Sequence, residues 1–82
     1  ALKQKVLVQA YFLKKDYDKV IEIGDAAAAL QTDPADQSAV YFNLGSAYNA
    51  KENKAKAIEA FGKVTAEPYA TTAKAAVAEL TK

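Results

Sequence analysis

The chain has 82 residues, 51% of them hydrophobic and 26% charged, which is the balance of a folded globular protein of one small domain. Eleven basic residues, all Lys, and ten acidic residues give a net charge of +1. Without a basic surplus or any Arg, nucleic-acid binding is not expected. Since Cys and His are absent, disulfides, thiolate nucleophiles, Ser-His triads and nearly all zinc sites are excluded.

Neither a membrane span nor a targeting signal is expected from the pattern of apolar residues. No run approaches the ~20 apolar residues that a membrane-spanning helix needs. The start of the chain is interrupted by Lys3, Lys5 and Gln9, where a signal peptide needs a continuous apolar stretch. Because the chain does not begin with Met, its compartment and the presence of segments upstream stay open.

The first half of the chain predicts two helices separated by a short break. Apolar residues recur at three- and four-residue steps over residues 2–13, which predicts a one-sided helix. The segment Lys14-Lys15-Asp16 interrupts this pattern, and Asp16 has the short polar side chain of a typical N-cap. A second helix is therefore expected from this cap to about Gln31.

Three more helices are predicted in the second half. Asp33 can cap a third helix with Pro34 at its first position, and this helix should run to about Lys51. Asn53 can cap a fourth, which ends before the segment AEPY. Residues 70–81 form a smaller and more polar fifth helix. No β-branched or aromatic run alternates over more than a few residues, so the predicted fold class is all-α.

The chain also repeats itself at a spacing of 37 residues. Both helix and loop positions stay in register, which indicates that a whole helix-turn-helix hairpin is used twice. The matched pairs are Leu7 and Leu44, Tyr11 and Tyr48, Lys14 and Lys51, Asp16 and Asn53, Lys19 and Lys56, Ile21 and Ile58, and Glu22 and Glu59.

The second copy resembles the tetratricopeptide repeat, whose 34-residue pattern reads aromatic-x2-Leu-Gly-x2-Tyr followed by Ala, Phe and Pro. The matching residues are Tyr41, Leu44, Gly45, Tyr48, Ala57, Phe61 and Pro68, with Pro68 one residue early. Gly45 and Ala57 are expected to let the two helices approach closely, while Tyr48 and Phe61 fill the space around them. Tyr11, Tyr17 and Val64 are assigned to the core as well.

The first copy departs further from the family pattern. It keeps Leu7, Tyr11 and Pro34, but the aromatic, Gly, Ala and Phe positions carry Gln4, Val8, Val20 and Gly24. The resemblance implies a single domain folded as a right-handed α–α superhelix. Repeat one would span about 2–35, repeat two about 36–69, and a capping helix about 70–81.

The resemblance further implies a non-catalytic module that binds a protein partner. The first helix of each hairpin in this family lines a concave groove, which takes an extended peptide or a partner helix. Helical spacing places seven residues on the groove side, namely Lys5, Gln9, Phe12, Phe42, Asn43, Ser46 and Asn49. The carboxylate clamp of some family members is not supported, because Val6, Ala73 and Val77 stand where its Asn and basic residues would be.

Each of these candidates has a simpler alternative. The Asn43 amide can bind a peptide backbone or be merely solvated. Lys5 can attract a carboxylate or serve solubility. Phe12 and Phe42 can anchor a partner or pack between helices.

An enzyme is not expected, and neither a catalytic residue, a metal site nor a cofactor is predicted. The carboxylate pairs at residues 16 and 18 and at 33 and 36 flank helix starts, where capping and the helix dipole explain them. Two structural alternatives stay open. The chain can be a terminal fragment of a longer solenoid, or it can self-associate through the apolar surface of its first helix.

Overall fold

A computed structural model describes the backbone of residues 2–81 and the side chains of residues 7–81. Within these residues the protein forms five α-helices and no strand, as the sequence predicts. The helices are α1 (Leu2–Leu13), α2 (Tyr17–Leu30), α3 (Pro34–Ala50), α4 (Lys54–Gly62) and α5 (Tyr69–Leu80).

The three predicted N-caps are confirmed. The side-chain oxygens of Asp16, Asp33 and Asn53 each accept a hydrogen bond from a backbone N–H in the first helical turn, at 3.4, 2.8 and 3.3 Å respectively. Pro34 takes the first position of α3, where its missing N–H removes no intrahelical hydrogen bond. Local sequence signals therefore account for where α2, α3 and α4 begin.

The turns after α1 and α3 are copies of each other at the spacing of the sequence repeat. Lys15 and Glu52 both adopt the left-handed backbone conformation, with φ of 61° and 63°. The next residue in each turn donates its N–H to a carbonyl five residues earlier, 2.9 Å away in both cases. This pattern is the Schellman motif that commonly ends helices. The repeat in the sequence is thus also a repeat in backbone structure.

Helix α3 is the centre of the molecule. It packs against α2 and α4, its neighbours in the chain, and also against α1 and α5. Across the described residues, no pair of Cα atoms within 8 Å joins α2 to α4, or α1 to α4 or α5. Helix α3 thus connects the other four helices.

Two clusters of buried side chains hold these helices together. The first joins α1, α2 and α3 with Ala60 of α4, and contains Val8, Val20, Ala27, Ala28, Val40, Leu44, Ala47 and Ala60. The second joins α4 and α5 to α3, and contains Ala57, Phe61, Val64, Ala70 and Ala73. Tyr11, Tyr17 and Tyr48 pack against the first cluster as half-buried residues, in agreement with their predicted core role. The many Ala side chains keep neighbouring helices close.

Two glycines allow α3 to pack closely against α2 and against α4. A Cβ atom at Gly45 would lie 2.8 Å from Cδ1 of Phe61, and one at Gly24 would lie 2.6 Å from Cδ1 of Leu44. The sequence predicted Ala57 as the close neighbour of Gly45, whereas the nearest atoms belong to the Phe61 ring. One repeat earlier the sizes are exchanged, since Val8 stands at the position of Gly45 and Gly24 at that of Phe61.

A buried hydroxyl fixes the connection between α4 and α5. Ser38 on α3 is 1% exposed, and its Oγ accepts hydrogen bonds from the backbone N–H groups of Thr65 and Ala66, at 3.1 and 3.0 Å. No sequence motif indicated this contact. It satisfies two loop donors that have no helical partner.

The start of α5 is capped by a residue outside the helix. Glu67 accepts hydrogen bonds from both the backbone N–H and the hydroxyl of Thr71, at 3.0 and 2.7 Å. Both hydrogen bonds favour the charged carboxylate and lower the pKa of Glu67 from its ordinary value of 4.5. The bond from the Thr71 hydroxyl has the larger effect and the bond from its backbone N–H the smaller. The charged carboxylate therefore stabilises the first turn of α5.

Replacing Gly45 by Leu should lower the free energy of unfolding by about 1–3 kcal/mol, because the new side chain overpacks the Phe61 ring. Phe61 is itself 4% exposed, and its ring packs against that of Phe42. Gly62→Leu is the matched control, since nothing lies within 4 Å of a Cβ atom at Gly62. Urea unfolding followed by circular dichroism measures both. Equal stability of the two variants would contradict the close contact.

Replacing Ser38 by Ala should cost about 1–3 kcal/mol of folding free energy, because two backbone donors lose their acceptor. Ser46→Ala on the same helix is the control, since Ser46 forms no hydrogen bond with the other described residues. The same unfolding experiment applies. A loss of stability no larger in Ser38→Ala than in Ser46→Ala would show that the loop is held by other contacts.

Replacing Glu67 by Gln should reduce stability at neutral pH and progressively less below pH 4.5. A carboxyl group whose pKa is lowered in the folded state adds stability above its unfolded pKa, and this stability disappears as the pH falls through the folded pKa. Unfolding curves of both proteins at neutral and acidic pH measure the difference. A difference independent of pH would contradict the charged cap.

Candidate functional site

An open depression of about 350 Å³ lies between the last turn of α1 and the middle of α3. Its lining residues are Gln9, Phe12, Leu13 and Asn43. Three of these were predicted from sequence as groove residues, and they come from helices about thirty residues apart in the chain. The fold therefore brings part of the predicted set together on one surface.

Phe12 forms a fixed wall of the depression. Its ring is half buried and meets the ring of Tyr17 edge-on, with centroids 5.9 Å apart and an interplanar angle of 65°. Such edge-to-face pairs are favoured by the charge distribution of aromatic rings. Phe12 thus packs within the first hairpin and also presents ring surface to the depression, so both roles considered from sequence are compatible with its position.

The two amide side chains of the depression are available for a ligand. Gln9 and Asn43 are half buried, and neither forms a hydrogen bond with the other described side chains or backbone groups. A side-chain amide both donates and accepts hydrogen bonds, which matches the alternating N–H and C=O groups of a peptide backbone. The depression therefore offers polar groups suited to an extended chain.

Leu13 supplies the exposed apolar part of the site. It is the last residue of α1 and is 81% exposed, more than either of the other exposed large apolar residues among those described, Leu7 at 37% and Leu30 at 53%. Leu13 is not among the seven groove residues predicted from sequence. Helical spacing can predict its place in the site, because Leu13 lies four residues after Gln9 and so on the same side of α1.

The other predicted groove residues do not line the depression. Phe42 is half buried, and its ring packs between helices, with its centroid 5.7 Å from those of both Phe61 and Tyr69. Ser46 is half buried and Asn49 is exposed, both further along α3. The side chain of Lys5 lies outside the described residues.

The described lining carries no charged side chain. Charges concentrate elsewhere, in a recess of about 20 Å³ between α2 and α4 that is lined in part by Asp25, Lys56, Glu59 and Lys63. That recess has room for about one water molecule. Among the described residues, no cluster of three or more acidic side chains is placed to hold a metal ion. None of the described helices is long and apolar enough to cross a membrane.

Comparison of the chain with models of protein families, with curated proteins and with solved structures finds no match.

Proposed function

We propose that the chain is a non-catalytic protein-interaction module of the tetratricopeptide-repeat type. An extended peptide segment or a helix of a partner protein occupies the depression between α1 and α3. The observation that carries the proposal is that two amides without a hydrogen bond to the other described residues, an aromatic wall and an exposed leucine converge on one open surface, whose described lining has no charged side chain.

The repeat assignment is supported by the turns and by the order of helix packing. The matching turns at residues 14–16 and 51–53 mark two equivalent hairpins. The first helices of the two hairpins pack on each other, and α5 packs on the far side of α3, as a capping helix does in a stack. In such an arrangement α1, α3 and α5 line one face, which is the face that holds the depression.

The site suits a ligand that is recognised mainly through its peptide backbone. Gln9 and Asn43 would hydrogen-bond successive peptide groups, while Phe12 and Leu13 cover one large apolar side chain. Aromatic side chains lose little conformational freedom on binding, and Phe12 is already held by Tyr17. Because the surface is small, we expect a transient interaction.

A second candidate function is structural. Leu7 and Leu13 leave apolar surface on α1, while the exposed residues of α5 are mainly polar or small. Terminal repeats normally present a polar outer face, so an apolar α1 favours a neighbour beside it. That neighbour would be another repeat of a longer solenoid or a second subunit.

Peptide selection from a phage-displayed random library on the immobilised chain tests the binding function. The affinity of selected peptides is then compared between the parent chain and variants. Asn43→Ala should weaken binding about 3- to 10-fold, the value of a typical hydrogen bond. Leu13→Ser should weaken it by a similar factor, through lost apolar contact.

Two control variants change the same residue types at positions outside the depression. Asn49→Ala removes an exposed amide from the same helix as Asn43, and Leu30→Ser removes an exposed leucine outside the depression. Both controls should bind like the parent chain. Selected peptides that bind all four variants equally would place the binding surface elsewhere, and a library that yields no binder would contradict the peptide-binding function.

A further inference from the structure

We propose that the outer face of α1 holds a further helix of the same kind as α2, joined ahead of α1 in the same polypeptide. This outer face consists of Leu7, Ala10 and Lys14, all of which are exposed. None of the three lines the depression between α1 and α3. The further helix would therefore serve the second, structural function, on which this inference rests, and not peptide binding.

The same face is covered in α3. At the 37-residue spacing of the repeat, the matched pairs are Leu7 with Leu44, Ala10 with Ala47, and Lys14 with Lys51. Leu44 is 1% exposed and Ala47 is fully buried, whereas Leu7 is 37% exposed and Ala10 is exposed. The start of α1 is more polar than that of α3, so the match covers residues 7–14. Over that range the two helices carry the same residue types, covered in α3 and open in α1.

Three contacts show how α2 covers this face of α3. A Cβ atom at Gly24 would lie only 2.6 Å from Cδ1 of Leu44. Nζ of Lys51 lies 3.2 Å from the carboxylate of Asp18, in the first turn of α2. Gln37, in the first turn of α3, donates a side-chain hydrogen bond of 3.4 Å to a carbonyl in the last turn of α2. The two helices therefore run antiparallel, with the start of α2 beside the end of α3.

These contacts define the helix that fits α1. Leu7 needs a glycine opposite it, because the matching leucine of α3 leaves no room for a Cβ atom. Lys14 needs a carboxylate six residues before that glycine, which is the spacing of Asp18 and Gly24. Among the described residues, Lys14 has no ion-pair partner. The fitting helix thus runs antiparallel to α1, with an acidic residue in its first turn and a glycine six positions later.

A second copy of this chain does not offer such a helix. In the whole sequence, an acidic residue lies six positions before a glycine only at Asp18 and Gly24, and this glycine is already covered by Leu44. Helix α4 carries Phe61 at the matching position. A helix joined ahead of α1 fits, because the end of an antiparallel helix lies beside the start of α1. Helix α2 reaches α3 in this way through only three residues, 31–33.

An extended chain, in which residues 1–37 are repeated directly ahead of Ala1, tests the docking. The join keeps the 37-residue register, so the added copy of α2 precedes α1 as α2 precedes α3. Leu7→Ala should lower the urea midpoint by about 0.5–1 M more in the extended chain than in the parent, because the added glycine helps to bury Leu7. Leu30→Ala in the original α2 is the control, and should lower the midpoint equally in both chains.

Nuclear Overhauser effects in the extended chain report the contact itself. Cross-peaks are expected from the Leu7 methyl groups to the α-protons of the added Gly24, as the matching contact of Leu44 predicts. Equal midpoint losses for Leu7→Ala in the two chains, or the absence of these cross-peaks, would overturn the proposal.

Two measurements on the parent chain separate the alternatives. A parent that sediments as a dimer, and returns to monomer with Leu7→Ala, would place a second copy on this face and would also overturn the proposal. Library-selected peptides should bind the Leu7→Ala parent as they bind the unchanged chain, because Leu7 does not line the depression. Failure of the added helix to dock therefore leaves the peptide-binding function intact.

Discussion

The structure depends on two neighbouring residues at the centre of α3. Leu44 projects onto Gly24 of α2, and Gly45 receives the ring of Phe61 from α4. The large side chain of Leu44 packs on a glycine of α2, and the missing side chain of Gly45 makes room for a ring of α4, so α3 is held against both helices at a defined register. Helices α1 and α5 then pack on the remaining sides of α3. Protein interiors are densely packed, so such a contact fixes position in a way that apolar character alone does not.

The candidate site follows from this register. Asn43 directly precedes Leu44, so fixing Leu44 on α2 also fixes where the Asn43 amide meets the last turn of α1. The packing of Leu44 on α2 thus positions Asn43, and the contact with the Tyr17 ring positions Phe12. Leu13 is left outside both clusters and stays exposed at the end of α1.

Local signals were sufficient to predict the helices, the N-caps of α2, α3 and α4 and the 37-residue repeat, because such caps depend on residues close in sequence. Helical spacing also brought Gln9, Phe12 and Asn43 to one side. The role of Phe42 was not predictable, because its packing depends on how α5 docks through Tyr69. The Ser38 contact joins residues 27 and 28 positions apart, and carries no local signal.

Nuclear Overhauser effects in solution measure directly whether reciprocal small and large residues hold α3 against α2 and α4. Cross-peaks are expected from the Leu44 methyl groups to the Gly24 α-protons, and from the Phe61 ring to the Gly45 α-protons. No cross-peaks are expected between the backbones of α2 and α4. Strong cross-peaks between the α2 and α4 backbones, with either glycine contact missing, would show that these two contacts do not position α3.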